Sequence, residues 1–475
     1  MERADFGIIG LGVMGQMLAF NLERHGFRVA GQDLDADKVK AFNEEPDRDV
    51  VGYVEADEFV AGLKQPRRIM MMVPAGDPVD AVINGIKVLL DEGDLLIDGG
   101  NSHFTDTERR TEMLESMGLM YIGTGVSGGQ YGALWGPSIM PGGSKDAWEI
   151  IQPHFEAVAA KVNGEPCVAY IGPRGAGHYV KMVHNGIEYA IMQLTAEVYD
   201  LLHRGVGLQA PRLHEIFAAW NEAELASYLV EITADIFAET DEETGKPLID
   251  VILDEAKQKG TGKWTSQDAL DLGVPTPTIN AAVEARIISA YKEEREAASK
   301  TLGSSEGGFD GDADAFVDKM RQALFAGMIC SFAQGFSLLR AASEEYDYNL
   351  DYAEIAKIWR GGCIIRADLL EDIRLAFAKA PDLTNLLMDG DFGEAVLSRR
   401  AALRDVVKFA AESGIPAPAF ASVLAYFDAY RTARLPANLT QAQRDYFGSH
   451  TYRKLGREGS YHTEWVDMSQ PPEES

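Results

Sequence analysis

Phe6-Gly7-Ile8-Ile9-Gly10-Leu11-Gly12-Val13-Met14-Gly15 is the stretch that decides the fold. Its first half is a short apolar run closed by glycine, and Met14 to Arg24 then carries helical periodicity that ends at Gly26. Strand, turn and helix succeed one another in that order, with Gly10, Gly12 and Gly15 at G-x-G-x-x-G spacing. Bare backbone at such a turn lets a pyrophosphate approach amides at a helix N-terminus. Close helix–strand packing through glycine would leave the same pattern, so the motif gains its weight from the next strand. That second strand, Phe27 to Gln32, ends at Asp33, a carboxylate placed to accept the ribose hydroxyls of a dinucleotide.

Outward from there, strand-like runs recur at Arg68 to Val73, Leu95 to Ile97 and Met120 to Ile122, with helical stretches between most of them. Alternating strands and helices imply an α/β, Rossmann-like, doubly wound parallel sheet with ligands at the carboxyl ends of its strands. The pattern fades after Ile171, and Gly172-Pro173-Arg174-Gly175-Ala176-Gly177 is the clearest breaker cluster in the chain. From His178 to Arg434 the sequence reads as all-helical, interrupted by polar loops near Asp241 to Lys246 and Gly303 to Asp314. The expected domains are a dinucleotide-binding part over 1–176, a large all-α part over 177–434 and a tail over 435–475. The tail, ending in Pro471-Pro472-Glu473-Glu474-Ser475, is too poor in apolar periodicity to build a core of its own.

The chain has 475 residues, 46% of them hydrophobic and 25% charged, the composition of a globular enzyme. Lys and Arg number 44 against 74 Asp and Glu, a formal net charge of −30 that repels phosphate polymers. Nucleic acid is therefore not an expected partner, and an anionic substrate would need a local cluster of cations. No apolar run of membrane-spanning length and no signal peptide stand out, so neither membrane insertion nor export is expected. Cys167, Cys330 and Cys363 are far apart and odd in number. They read as free packing thiols in a reducing, cytoplasmic setting.

Four further motifs carry chemistry. Asp98-Gly99-Gly100-Asn101-Ser102 follows a strand and places Asn101 at the cofactor crevice, while Gly123-Thr124-Gly125-Val126-Ser127-Gly128-Gly129 is expected as a glycine loop whose amides and hydroxyl suit a carboxylate. In the first helix after the breaker, Lys181, His184, Asn185 and Glu188 stand at i, i+3, i+4 and i+7, all on one face. A solvated face would also carry Lys and Glu, but here it adds an imidazole and an amide just after a turn aimed at the sheet. Lys259-Gly260-Thr261-Gly262-Lys263-Trp264 lacks Walker spacing, yet offers amides, a hydroxyl and an ammonium to an oxyanion, and Arg286, Arg444 and His450 add cations.

Together these strings resemble the long-chain, decarboxylating 6-phosphogluconate dehydrogenase family. The resemblance is carried by D-G-G-N (98–101), G-V-S-G-G (125–129), G-P-S-I-M-P-G-G (136–143), G-A-G-H-Y-V-K-M-V-H-N-G-I-E-Y (175–189), K-G-T-G-K-W-T (259–265) and L-P-A-N-L-x-Q-A-Q-R-D-Y-F-G-x-H-T-Y (435–452). It implies oxidative decarboxylation of 6-phosphogluconate in the pentose phosphate pathway, in a homodimer whose tails reach into the partner subunit. It also implies substrate contacts from Asn101, Ser127, Gly128, Gly129, His184, Asn185, Tyr189, Lys259, Thr261 and Arg286 of one chain, with Arg444 and His450 of the other. Lys181 would be the general base and then acid, and Glu188 the acid at C1, without a metal. The cofactor would lie on Gly10, Leu11, Gly12, Val13, Met14, Gly15, Asp33, Leu34, Asp35, Val73, Pro74, Ala75 and Asn101.

The chain departs from the family pattern at Gln130, where a Glu is common, and more consequentially at the cofactor. NADP-dependent relatives typically read N-R-T where this chain has Asp33-Leu34-Asp35, and many carry lysine where it has Pro74. NAD is thus expected in preference to NADP, with dual use as the fallback and Lys38 and Lys40 as the cations that could restore phosphate binding. Shorter β-hydroxyacid dehydrogenases resemble the first half and the lysine helix but lack the K-G-T-G-K-W segment and the tail. A dinucleotide sensor without turnover would have no use for both Lys181 and Glu188.

Overall fold

A computed structural model describes residues 2–303 and 308–465. Part of the expected 303–314 loop, residues 304–307, and the end of the tail, residues 466–475, lie outside the described residues. Seven strands form one sheet: β1 (Phe6–Ile9), β2 (Val29–Gln32), β3 (Val50–Tyr53), β4 (Arg68–Met71), β5 (Leu95–Asp98), β6 (Met120–Ser127) and β7 (Ser138–Gly143). Their order is β3-β2-β1-β4-β5-β6-β7, parallel throughout except for antiparallel β7. One helix follows each strand: α1 (Val13–Arg24), α2 (Ala36–Asn43), α3 (Ala56–Ala61), α4 (Asp77–Ile86), α5 (Phe104–Glu115), α6 (Gly129–Trp135) and α7 (Lys145–Val158).

The near-continuous apolar strands are buried on both faces, as parallel strands covered by crossover helices must be. Alternate residues serve opposite cores: Phe6, Ile8, Met70, Leu95 and Ile97 join Leu18, Phe42 and Phe155 on one side. Ile9, Ile69, Met71 and Leu96 join Phe59, Ile83 and Leu114 on the other. Strand order reverses direction between β1 and β4, which opens a crevice at their carboxyl ends.

Two strands of this sheet are absent from the sequence-based expectation and one is longer than expected. β3 is Val50-Val51-Gly52-Tyr53, too short and half-buried to stand out, and β7 contains Pro141, Gly142 and Gly143, which read as a breaker. Proline is tolerated there because β7 is the edge strand. The Gly123–Ser127 segment is not a loop: β6 runs eight residues to Ser127, in register with β7 from Ile122↔Gly143 to Ser127↔Ser138. Its glycines Gly123 and Gly125 serve close packing by the helix that begins at Ala176 rather than a turn.

The helical part comprises α8 (Ala176–Asp200), α9 (Ala210–Asn221), α10 (Tyr228–Ala238), α11 (Thr261–Asp271), α12 (Pro277–Ser289), α13 (Lys292–Leu302), α14 (Ala313–Glu345), α15 (Tyr352–Trp359), α16 (Leu369–Lys379), α17 (Gly390–Ser413), α18 (Pro418–Tyr430) and α19 (Ala437–Gly448). α14 is long and apolar enough to cross a membrane, but 83% of its most apolar window is buried inside the protein, as in a core helix. No linker separates sheet and helices. A Cβ added to Gly177 in the first turn of α8 would come 2.3 Å from the Met140 carbonyl and 2.5 Å from that of Gly123. The sheet and the helices as far as Leu424 therefore belong to one compact unit, Met1–Leu424.

The second unit, Ala425–Ser475, holds the link at Leu435-Pro436 and α19. It organises itself around a polar centre. The buried Asp445 carboxylate accepts from Thr451 N (2.9 Å), His462 Nδ1 (2.9 Å), Thr463 N (3.1 Å) and Trp465 Nε1 (2.8 Å). Burial pushes the Asp445 carboxyl up, but these donors hold it down at about 2. The tail's coreless sequence is thus tied by hydrogen bonds, while Leu439, Tyr446, Phe447 and Trp465 line an exposed apolar cleft.

Candidate active site

α8 crosses β6 so closely that a Cβ on Gly125 would stand 2.3 Å from Lys181 Cβ. That contact explains the glycine and brings the lysine against the sheet's carboxyl end. Lys181 is only 5% exposed, and its Nζ lies 3.3 Å from His184 Nδ1. His184 Nε2 is 3.4 Å from Ser127 Oγ, and its Nδ1 is also 3.1 Å from Asn185 Oδ1 and 3.8 Å from Glu188 Oε2. Asn185 Nδ2 donates to Thr261 Oγ1 at 2.9 Å. The structure thus joins the four-residue face of α8 to Ser127 and to the start of α11. The Lys259–Trp264 segment is accordingly a helix entry, with Gly260 at φ +106° as its N-cap, rather than a free loop.

Burial lowers the pKa of Lys181, although Glu188 opposes the shift. Burial likewise raises that of Glu188, against the pull of Lys181 and Arg286. His184 is driven well below its ordinary value by burial and by the Lys181 charge, so its imidazole is neutral. A neutral Nδ1 can accept from the Lys181 ammonium or, as the other tautomer, donate to Asn185 Oδ1. His184 can therefore follow the protonation of Lys181 without becoming charged. A depressed lysine and an elevated carboxyl on one face form an acid–base pair with pKa values drawn towards neutrality.

Tyr189 is buried one residue beyond Glu188, and the Arg286 guanidinium lies 3.4 Å from its ring centroid. Lys259 is exposed beside the α11 entry, and Gly128 and Gly129 follow Ser127 at the start of α6. Asn101 is exposed in the loop after β5. Arg444, hydrogen-bonded to Gln441, and His450, packed on Phe447, belong to the second unit and are exposed there. One contributor is not legible in the sequence: Trp359 sets its ring edge-on to His184, with centroids 5.5 Å apart. Nothing short of the tertiary fold connects residues 175 positions apart.

The crevice fits a dinucleotide. Gly10 has φ +97°, and a Cβ on Gly15 would come 1.9 Å from the Gly10 carbonyl, so the turn closes only with glycine. A Cβ on Gly12 would meet nothing within 4 Å, and α1 begins there without a side-chain cap, leaving first-turn amides for an anion. Met14 sits half-buried in that first turn, and Val73, Pro74 and Ala75 follow β4. Leu11 has its side chain fully buried in the core, and its N–H donates to Asp33 Oδ2 at 2.8 Å. Asp33 Oδ1 accepts from Asp35 N at 3.0 Å, and Lys38 Nζ lies 3.6 Å from Asp33 and 3.9 Å from Asp35. Leu34 is exposed, and no ion pair of Lys40 occurs among the described residues.

The Gly125 contact yields a direct test. Gly125→Ala must push Lys181 away by about 1 Å to open the 2.3 Å approach to ordinary contact, and misplacement of about 1 Å costs up to ~10²-fold in rate. Turnover is expected to fall by about that factor with helicity retained in circular dichroism; unchanged kcat would contradict the packing.

Two family models cover the chain: the NAD binding domain of 6-phosphogluconate dehydrogenase over residues 5–172, and the 6-phosphogluconate dehydrogenase C-terminal domain over 177–465. An NADP(+)-dependent, decarboxylating 6-phosphogluconate dehydrogenase of Bacillus subtilis (strain 168) is 55% identical, over 98% of this chain and 100% of its own. A decarboxylating 6-phosphogluconate dehydrogenase of Escherichia coli (strain K12) is 53% identical over the same shares. The Plasmodium falciparum 6-phosphogluconate dehydrogenase, solved apo, with its cofactor NADP+ and with its substrate 6-phosphogluconate, superposes with a TM-score of 0.94 at 43% identity, over 97% of this chain and 100% of that one. A sheet with a glycine turn, a buried lysine helix and full-length likeness in sequence and structure lead to one conclusion: the chain belongs to the 6-phosphogluconate dehydrogenase family.

Proposed function

We propose that this protein oxidises and decarboxylates 6-phosphogluconate to ribulose 5-phosphate and CO2 in the cytoplasm, serving the pentose phosphate pathway. The observation that carries this reading is the Lys181–His184–Asn185–Glu188 face, buried but for the half-buried Glu188, meeting Ser127 and Thr261. Lys181, its pKa lowered, takes the proton of the C3 hydroxyl as a neutral amine. Bound NAD(P) supplies the acceptor for the C3 hydride. The Lys181 ammonium then donates to the new C3 carbonyl oxygen, drawing the electrons of the breaking C1–C2 bond towards it as CO2 leaves. This polarisation does the work that a metal would otherwise do. Glu188, its pKa raised by burial, delivers the proton to the carbon that becomes C1 of the product. Asn101, Ser127, Gly128, Gly129, His184 and Asn185 hold the carboxylate and hydroxyl end. Tyr189, Lys259, Thr261 and Arg286 hold the phosphate end.

NAD is the preferred cofactor and NADP the poorer alternative. The relative in Bacillus subtilis is NADP-dependent by name, so this chain is read differently on the charge of Asp33 and Asp35. Three free, buried cysteines accord with a reducing compartment.

Reduced-nicotinamide absorbance with 6-phosphogluconate, gluconate and a short β-hydroxy acid tests the substrate class: turnover is expected with the first, and faster turnover of the short acid would favour the simpler dehydrogenases. Each site is completed by Arg444 and His450 of a second copy, in an isologous homodimer. Support comes from the exposed Arg444 and His450 in a unit with an exposed apolar cleft. Mixing inactive Lys181→Met and Arg444→Ala chains should restore up to about a quarter of wild-type activity through heterodimers carrying one intact site. No recovery after demonstrated subunit exchange would rule out shared sites.

A further inference from the structure

The β4–α4 and β5–α5 loops, which carry Val73-Pro74-Ala75 and Asn101, are tied together from beneath by one guanidinium. Arg110 of α5 is fully buried. Its Nε and Nη2 grip Asp80 of α4 in a fork, at 3.0 and 2.9 Å. Nη2 also donates to the Gly76 carbonyl at 3.0 Å, at the end of the β4–α4 loop. Nη1 reaches the other loop, lying 3.4 Å from Asp98 Oδ2 and 3.3 Å from Ser102 Oγ. Asp98 in turn accepts from Ser102 Oγ (2.6 Å), Tyr121 OH (3.0 Å) and Gly100 N (3.1 Å), so both ends of the segment bearing Asn101 are fixed. The loops approach closely: a Cβ on Gly100 would lie 3.0 Å from the Val73 carbonyl.

A planar fork with five donors can serve an Asp, a carbonyl, a second Asp and a hydroxyl at once; an ammonium on a flexible stem cannot hold that geometry. The buried guanidinium is paired with the carboxylates of Asp80 and Asp98, which is what full burial of a charge requires. We infer that Arg110 is a positioning residue: it touches neither substrate nor cofactor and sets the spacing between the loop that lines the cofactor and the loop that presents Asn101. The inference rests on the proposed roles of those two loops. Cofactor affinity and substrate turnover are then lost together when the fork is removed.

The test uses full-length Arg110→Lys, Asn101→Ala and their double variant, with NAD Kd from fluorescence titration and kcat and KM for 6-phosphogluconate. Arg110→Lys is expected to weaken NAD about tenfold and to lower kcat/KM by about 10- to 100-fold, the scale of a misplacement near 1 Å. In the Asn101→Ala background the same change should lower kcat/KM by less than about threefold while still weakening NAD, because residues acting through one another are non-additive. Near-wild-type Kd and kcat/KM in Arg110→Lys, or an equal loss in both backgrounds, would overturn the inference. Should Arg110→Lys fail to fold, Asp80→Asn, which spoils the fork from a partly exposed side, is judged by the same outcomes. An Asn101→Ala protein with full kcat/KM would refute the Asn101 contact itself, and the clamp then stands or falls on the NAD Kd.

Discussion

Lys181→Met is expected to abolish hydride transfer while leaving the fold and both binding steps in place. Methionine matches the lysine stem in length, so the contact with Gly125 survives, and a buried ammonium's desolvation cost disappears. The C3 hydroxyl loses its base, and general-base removal alone costs about 10²–10⁴-fold in rate. The loss should exceed that range, because the same group also polarises the keto acid in the next step. Glu188→Gln is expected to behave differently: hydride transfer proceeds, but proton delivery at C1 slows, so solvent deuterium enters C1 of the product sluggishly.

The pH dependence arises from the same two shifts. Lys181 works as a base when neutral, so kcat/KM rises with pH through its lowered pKa, below the ordinary lysine range. Glu188 works as an acid when protonated, so activity falls as pH rises through its raised pKa, above the ordinary carboxylate range. Loss of the acid limb in Glu188→Gln rather than in a Lys181 variant would reverse the two assignments.

The second large effect concerns the cofactor. A carboxylate about 4 Å from a 2′-phosphate costs about 4 kcal/mol at an effective dielectric near 20. Asp33 and Asp35 supply two, and Lys38 returns one positive charge from 3.6 and 3.9 Å. With one net negative charge left and solvent screening at an exposed edge, kcat/KM for NAD is expected to exceed that for NADP by about 10- to 100-fold. Asp33→Asn should narrow the gap and Lys38→Met widen it. An NADP value above the NAD value at equal ionic strength would show that Lys38 dominates the two carboxylates.

Several of these groups are visible in the sequence because they are local. The turn at Gly10–Gly15 and the run Lys181, His184, Asn185, Glu188 are periodic patterns within one element, and period is what a sequence displays. Gly125 is different: its proximity to Lys181 makes it a packing glycine in a strand, whereas in sequence G-T-G-V-S-G-G reads as a turn. β7 hides behind Pro141 for the same reason, since edge position is a property of the sheet. Leu11 belongs to the core and lends its amide to Asp33, a bond that couples the glycine turn to the second strand. Arg110 carries no motif at all; only the meeting of three elements around it gives the guanidinium a task.

If one buried lysine drives oxidation and then loss of the adjacent carboxylate in a single turnover, the two products must appear together. Their coupling is measured by the ratio of labelled CO2 to reduced nicotinamide formed from 6-phosphogluconate carrying 13C at C1. A ratio of one throughout the time course is the predicted result; reduced nicotinamide accumulating without labelled CO2 would contradict it.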